Sequence, residues 1–471
     1  MHDDMMQALW CTIDIGGAGI DAVAPIHIPK QIELVLSMLE GMELPAWLVG
    51  GCLRDILMGR APQDWDFATP FPPDLVREKL IEAQVPVWDT GLKHGTVTFR
   101  VNGASYEITT FRRDGPYEDY RRPKWVEFTT SLYEDLARRD FTINAMAWHR
   151  SDGLTDPFGG MADMDKRLIR AVGKPEDRLQ EDALRILRGI RFAGSLGFDL
   201  DEGLAASMRD KIALLAKISP ERLASELQAM LMLPSPKRAL EMLADTGAWA
   251  YLAPEMTAAI GFDQRSSHHY LDVYGHTVQT VEHTPQELMV RLAALFHDVA
   301  KPAVFTLDEE GNSHFRQHET VGAEMAKGIL DRLRFSHAIR NQVAMLIRYH
   351  MLHLRKRNDA GLRRAISEIA KPREENLERI LALQKADLSA SRHTAQSLED
   401  FALFAQRCKG ILHSGCPLDI RDLAVGGWEL EELGVPPAKR GSALKAMLAE
   451  VIEDPSRNQR EVLLELAKAY R

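Results

Sequence analysis

Asp64 and Asp66, one residue apart in Gln63-Asp64-Trp65-Asp66-Phe67, are the residues of this chain best suited to chemistry. Alternate side chains on a strand point to one face, so a strand here would bring both carboxylates together. Such a pair can hold two divalent cations and support in-line displacement at phosphorus. The apolar run Trp47-Leu48-Val49 precedes it and reads as a short buried strand. That run leads into Gly50-Gly51-Cys52-Leu53-Arg54-Asp55. Glycine lets backbone amides approach a triphosphate closely, and a helix opening at about Leu53 favours an anion at its N-terminus. Alone, Asp-x-Asp is equally a pair of acids on a surface loop. Strand, Gly-Gly, Arg-Asp and Asp-x-Asp in succession point to nucleotidyl transfer.

Two further clusters fit a nucleotide. Arg138-Arg139-Asp140-Phe141-Thr142-Ile143-Asn144 offers guanidiniums that grip phosphate oxygens. Asp140 and Asn144 are four apart, so on a helix they share a face and reach a ribose hydroxyl; a solvated helix start is the bland alternative. In Glu181-Asp182-Ala183-Leu184-Arg185, followed by Arg188 and Arg191, Asp182 and Arg185 are predicted to lie on one helical face. Cytosine and adenine each present an amino donor beside a ring-nitrogen acceptor. A carboxylate accepts from the first and a guanidinium donates to the second, whereas uracil and guanine present the reverse order. The alternative is an intrahelical ion pair worth a few tenths of a kcal/mol.

The elements that must position these residues fall into two kinds. After a helix near Pro29–Glu40, residues 47–150 mix turns with β-rich runs: Gly95–Val101, Tyr106–Thr110 and Trp125–Phe128. From Glu176 onward, Leu, Ile, Ala and Met recur at helical spacing. The predicted fold class is α+β, a small mixed-sheet head followed by an all-helical neck, body and tail. The boundaries read as an extension over 1–27 without clear period, a head over 28–160, a neck and body over 161–260, a histidine-rich region over 261–395 and a tail over 396–471. The length of 471 residues suits about three or four domains. The net charge is −10, so a nucleic-acid partner needs a local basic patch. Arg355-Lys356-Arg357 with Arg363-Arg364, and Lys439-Arg440, are the candidates; a solvated, helix-capping charge distribution is their bland reading. The four cysteines, Cys11, Cys52, Cys408 and Cys416, form no Cys-x-x-Cys pair, which fits a reducing cytoplasm. No secretory leader and no apolar run of membrane-spanning length is evident, so no membrane partner is expected.

The motifs Gly50-Gly51-x-x-Arg54-Asp55, Asp64-x-Asp66, Arg138-Arg139-Asp140-x-x-x-Asn144, Asp156-Pro157-Phe158-Gly159-Gly160, Glu181-Asp182-x-x-Arg185 and Ser219-Pro220-Glu221-Arg222-x-x-x-Glu226 occur in this order. The combination resembles the class II tRNA nucleotidyltransferases, or CCA-adding enzymes, of the polymerase β-like superfamily. The resemblance covers about residues 45–230. It implies Mg²⁺ held by Asp64 and Asp66, with Glu107 as a third carboxylate. It implies ribose recognition by Asp140 and Asn144 with Arg139 nearby, an amino-acid template for CTP and ATP in Asp182 and Arg185, and an accessory grip by Arg188. It implies a tRNA 3′ end as partner, and a flexible loop over Thr110–Pro123. An enzyme adding only A, and a bacterial poly(A) polymerase, share the head motifs. The spacing of His276, His297-Asp298 and Asp387 resembles an HD domain, a helical metal-dependent phosphohydrolase module, with His318 and His350 as further ligands. Imidazole with carboxylate suits Mn, Ni, Fe or Zn better than Mg. Phosphohydrolysis at that site is the reading from another enzyme class. The segment Leu423–Leu448 resembles the family's RNA-contacting tail.

Overall fold

The computed structural model describes residues 10–13, 26–92, 95–115, 124–265, 271–352, 358–369, 371–392 and 394–471. Two compact units form: residues 1–227 with 242–251, and residues 228–241 with 252–471.

In the first unit, β1 (Trp10–Ile13) pairs antiparallel with β2 (Ile26–Pro29), so the N-terminal stretch expected to be featureless contains a strand. The strands β3 (Trp47–Val49), β4 (Asp66–Thr69), β5 (Val87–Gly91), β6 (Thr96–Val101) and β7 (Ala104–Thr110) follow. A separate hairpin pairs β8 (Arg112–Asp114) with β9 (Val126–Phe128). With β10 (Ala147–His149) and β11 (Gly153–Thr155), β3 to β7 make a seven-stranded sheet in the order β11-β10-β3-β4-β7-β6-β5. The pair β4·β7 is parallel and the others are antiparallel, a mixed sheet. Leu48, Phe67, Phe99 and Ile108 are buried. Their alternation with exposed Asp66 and Glu107 gives the sheet one core face and one open face. Burying a side chain of this size stabilises by about 1.5–3 kcal/mol, which fixes the register that the carboxylates need.

Beyond residue 156 this unit is mainly helical. Asp156 accepts from the Gly160 and Met161 amides at 2.7 and 2.9 Å, starting the helix Gly160–Asp165 from the expected Asp-Pro-Phe-Gly-Gly loop. The helices Pro175–Glu181 and Leu184–Leu196 follow, with a short parallel pair, Leu168–Ile169 with Asp199–Leu200, beside them.

In the second unit the helices Val273–His283, Leu288–Phe296, His318–Arg332, His337–Tyr349 and Arg373–Ala390 surround a buried histidine cluster. An antiparallel hairpin, Thr306–Leu307 with Ser313–His314, interrupts a region expected to be all helix. The turn Asp308–Asn312 explains it, because the Asp308 carboxylate accepts from the Glu310 and Asn312 amides at 3.0 and 2.8 Å. The tail has its own core of Val425, Leu430, Val435, Met447, Val451 and Leu463.

Candidate functional site

The sheet's open face carries the carboxylates. Asp66 is the first residue of β4 and stands directly opposite Glu107 in the parallel register. Asp64 precedes the strand in a bend, so the expectation of two acids on one strand holds for Asp66 alone. Asp64 and Asp66 nevertheless line one cavity of about 790 Å³. Loss of hydration raises the Asp66 carboxyl above its ordinary range; Arg139 opposes this, and Glu107 and Asp64 add to it. A group of three acids in this state is suited to hard divalent cations.

Gly50 shapes the opposite wall. Its φ is +71°, and a Cβ there would lie 3.0 Å from Arg139 Nη1 and 3.7 Å from Asp66 Oδ2. Glycine alone accepts that conformation without strain and leaves the space open. The helix Gly51–Leu57 then buries Arg54. Arg54 donates to Asp55 Oδ1 at 2.7 Å through Nη2 and to Asn144 Oδ1 at 2.7 Å through Nη1.

The Arg-Arg-Asp cluster is built on a residue that sequence reading passed over. Asp135, 1% exposed, accepts from Arg138 at 2.6 Å and from Arg139 at 3.1 Å. Burial pushes the Asp135 carboxyl up, but the two guanidiniums outweigh it and hold the pKa below its usual value. The signal was present as spacing, since Asp135 stands three and four residues before the arginines.

Asp140 and Asn144 come together, but on a single 3-10 turn, Thr142–Asn144, and not on an α-helix. Asp140 Oδ1 accepts from Asn144 Nδ2 at 3.2 Å and from the Phe141 amide at 2.8 Å, which removes Asp140 from the turn itself. Its Oδ2 accepts from Arg188 at 2.6 and 2.9 Å. Arg188 is thus tied to Asp140 in this structure. Burial raises the Asp140 pKa, and Arg188 more than reverses that.

Asp182 and Arg185 line the same cavity, on either side of a helix break. Asp182 adopts φ −137°, ending the helix Pro175–Glu181, and Arg185 belongs to the next helix. Arg185 pairs with Glu181 at 2.6 Å and donates to the Arg138 carbonyl at 3.0 Å. Asp182 accepts from Arg222 at 2.7 Å and from the Leu184 amide at 3.1 Å. The expected shared helical face is therefore replaced by two fixed groups facing one space. Phe192 organises the far wall: Arg54, Arg188 and Arg191 lie over its ring at 5.2, 5.5 and 4.5 Å. Eight arginines and five aspartates line this cavity, a local positive excess in a chain of net charge −10.

The second unit brings His276, His297, Asp298, His318, His350 and Asp387 together. His276 Nε2 is 3.0 Å from Asp387 Oδ1, and His297 Nε2 is 3.1 Å from Asp298 Oδ2. His318 Nε2 and His350 Nε2 approach to 3.2 Å, beside Asp298 Oδ1 at 3.5 and 4.0 Å. Nδ1 of His297, His318 and His350 faces the carbonyls of Ala294, Phe315 and Ile347 at 2.8, 2.8 and 2.6 Å. A carbonyl can only accept, so each Nδ1 carries the proton and each Nε2 presents a lone pair. Two such nitrogens at 3.2 Å repel unless a metal ion or a proton lies between them. His297 Nε2 and Asp298 Oδ2 are moreover buried without hydrogen-bond geometry. The donor set fits a borderline transition metal. Burial, with His297 and His318 nearby, lowers the His350 pKa to about 3, keeping that imidazole neutral. Lys301, buried beside the cluster, donates to Gln264 at 2.7 Å and lies 2.7 Å from Asp298.

The expected basic patches fall into described and undescribed residues. Arg355, Lys356 and Arg357 lie outside the described residues, as does the loop beyond Gly115 up to Pro123. Arg363 donates to the Ile452 and Glu453 carbonyls at 2.6 and 2.7 Å, and Arg364 pairs with Glu453, so both join helices. Arg440 pairs with Glu431 at 2.9 Å, and Lys439 donates to the Arg471 carbonyl at 3.2 Å.

Parts of this chain are similar to known proteins. Residues 46–170 match the Poly A polymerase head domain, residues 197–260 the probable RNA and SrmB-binding site of polymerase A, and residues 267–390 the HD domain. The chain is similar to the CCA-adding enzymes of Streptococcus thermophilus, 44% identical over 229 residues, and of a Geobacillus species, 47% identical over 218 residues. These matches cover 48% and 46% of this chain, and the chain spans only 56% and 53% of those relatives. A crystal structure of the Bacillus stearothermophilus CCA-adding enzyme in complex with CTP is 27% identical with a TM-score of 0.68, covering 93% of this chain and 97% of that one. The Thermotoga maritima CCA-adding enzyme complexed with tRNA shares the fold at 19% identity and a TM-score of 0.56, covering 94% of this chain and 96% of that one.

Proposed function

We propose that this chain adds C, C and A to the 3′ end of tRNA, taking CTP and ATP and releasing pyrophosphate. The observation that carries the reading is the single cavity in which Asp64 and Asp66 face the arginine-rich wall and the Asp182 and Arg185 pair. Asp64 and Asp66, with Glu107, would hold Mg²⁺, which lowers the pKa of the attacking 3′ hydroxyl and neutralises the leaving pyrophosphate. Arg138, Arg139 and Arg54 receive phosphate charge, and the Gly50-Gly51 turn leaves room for it. Asp140 and Asn144 meet the ribose, and Arg188 steadies them. Asp182 accepts the exocyclic amine of C or A while Arg185 donates to the ring nitrogen, so uracil and guanine each leave a polar group unpaired. Lys439, Arg440 and the Arg355–Arg357 run are proposed to meet tRNA phosphates.

The HD site is proposed as a second centre, because its facing imidazole lone pairs call for Mn, Ni, Fe or Zn, and hydrolysis of a phosphoester is the chemistry such a centre supplies. A cytoplasmic setting fits the free thiols of Cys52, Cys408 and Cys416. Among the described residues no helix is long and apolar enough to cross a membrane.

The test is extension of one tRNA transcript in three forms, lacking CCA, ending in C and ending in CC, with Mg²⁺ and CTP, ATP or both. Addition of C, C and A followed by a stop is expected, and Asp64→Ala should abolish it while the thermal transition persists. Addition only to the CC form would instead identify an A-adding enzyme, and a long A ladder a poly(A) polymerase.

A further inference from the structure

A second cavity, of about 700 Å³, meets the nucleotide cavity at Asp64 and Asp66, the two residues that line both. We propose that it binds the 3′-terminal nucleoside of the acceptor RNA, with Trp65 as the surface on which the terminal base stacks. The inference rests on the nucleotidyl-transfer reading above and adds the place and the residue that receive the acceptor.

Three observations carry it. The first is direction. In-line displacement requires the attacking oxygen to enter opposite the departing pyrophosphate, with the cations between them. Eight arginines line the first cavity and, among the described residues, none lines the second, which puts the triphosphate in the first and has the acceptor's hydroxyl approach the carboxylates from elsewhere. The second cavity reaches those carboxylates and has Glu107 on its wall, opposite Asp66 in register.

The second is charge. Among the described residues no Lys, Arg or His lines this cavity, which argues against a second triphosphate site and suits the uncharged end of a chain. The third is surface. Trp65 lies ahead of the strand that begins at Asp66, so strand alternation does not commit it to the buried face, and it is half-buried on the cavity wall. Tyr106, 3% exposed, packs on Phe99 and Phe67 at 5.6 and 6.2 Å, and its hydroxyl takes the Gln31 amide at 2.6 Å. The wall beside Trp65 is therefore rigid and apolar with a polar tip.

Stacking also answers a demand of the reaction. The acceptor end changes from the tRNA's own last nucleoside to an added C as it grows, and a ring face holds any base, whereas a hydrogen-bonding pocket would select one.

The experiment is steady-state CTP addition to tRNA lacking CCA, varying RNA and CTP separately, on the full chain. Trp65→Ala should raise KM for RNA about tenfold and leave KM for CTP unchanged, and Trp65→Phe should recover most of the loss. Binding of CTP alone to Trp65→Ala, by titration calorimetry, checks that the variant is folded. In parallel, RNA ending in 5-iodocytidine is photo-crosslinked to the wild-type chain without nucleotide, and the tryptic peptide is identified. A crosslink on Ala61–Arg77, which contains Trp65, is expected. An unchanged KM for RNA, or crosslinks confined to the peptides around Arg185 and Arg188, would overturn the proposal. A wild-type chain that extends no tRNA would sink the reading of the preceding subsection instead.

Discussion

Asp135 shows how much of the site hangs on one buried carboxylate. It anchors Arg138 and Arg139 together and also accepts from the Arg112 amide at 3.3 Å. Its folded-state pKa lies below the ordinary value, so the ion pairs stabilise the fold above pH about 4. That stability is lost as the pH falls through the folded-state value. Asp135→Asn keeps the shape and removes the charge. It should cost about 1–3 kcal/mol at neutral pH, the scale of a buried charge-assisted hydrogen bond, and flatten the acid limb of stability against pH. Denaturant melts from pH 7 down to pH 3 check this. The same variant should raise KM for CTP by about tenfold, because both guanidiniums lose their fixed direction. An unaltered acid limb would mean that Asp135 titrates alike in the folded and unfolded chain.

At the scale of elements, the informative feature is the break between Pro175–Glu181 and Leu184–Leu196. It turns Asp182 out of the helix, where Arg222 and the Leu184 amide fix its carboxylate. Arg222→Ala should free that carboxylate to rotate. UTP misincorporation by this variant is expected to rise about tenfold relative to CTP, while the overall rate of C addition falls less, as competition between the two nucleotides would measure. This break also marks where sequence reading fails. Asp182 and Arg185, proposed to read the base, were singled out by their chemistry, the strand at Trp47 by its short apolar run, and the strands around Phe99 and Ile108 by their β-rich composition. The break was not, because Ala183 and Leu184 are good helix formers; the Asp182 carboxylate accepts from the Leu184 amide in place of a helical bond and is held there by Arg222, forty residues later. Asp140 and Asn144 illustrate the same limit. Their spacing of four suggested a helix, but the Asp140 side chain caps its own neighbours and competes with one. Asp64 was read onto a strand that starts two residues later, a boundary error within the usual range, yet that shift is what leaves Trp65 on a cavity wall. Hairpins as short as Thr306–Leu307 with Ser313–His314 leave too few residues for a period to register.

On the scale of the whole molecule, two donor sets of different hardness occupy separate compact units. The head offers carboxylate oxygens, and the HD cluster four imidazoles with two carboxylates. Hard Mg²⁺ keeps its waters and prefers the first, and a borderline metal prefers the second. Removing one ligand from the HD cluster should therefore leave the head's chemistry intact. Asp387 is suited to the test, since it meets both His276 and His297 while remaining the less enclosed of the two acids. Asp387→Asn should lower bound Mn, Ni, Fe or Zn at least tenfold, read by metal analysis after gel filtration, because ligand substitutions commonly weaken metal affinity by that much or more. Addition of C, C and A with Mg²⁺ should stay within about twofold of wild type, since the head's own ligands are untouched. Metal-dependent hydrolysis of a phosphoester, if the wild type performs it, should disappear in the same variant. Chelation with excess EDTA followed by Mg²⁺ alone should separate the two centres without mutation, restoring nucleotide addition and leaving the histidine site empty. If Mg²⁺ alone fails to restore addition, and a transition metal does, the division of labour between the acids and the histidines is wrong.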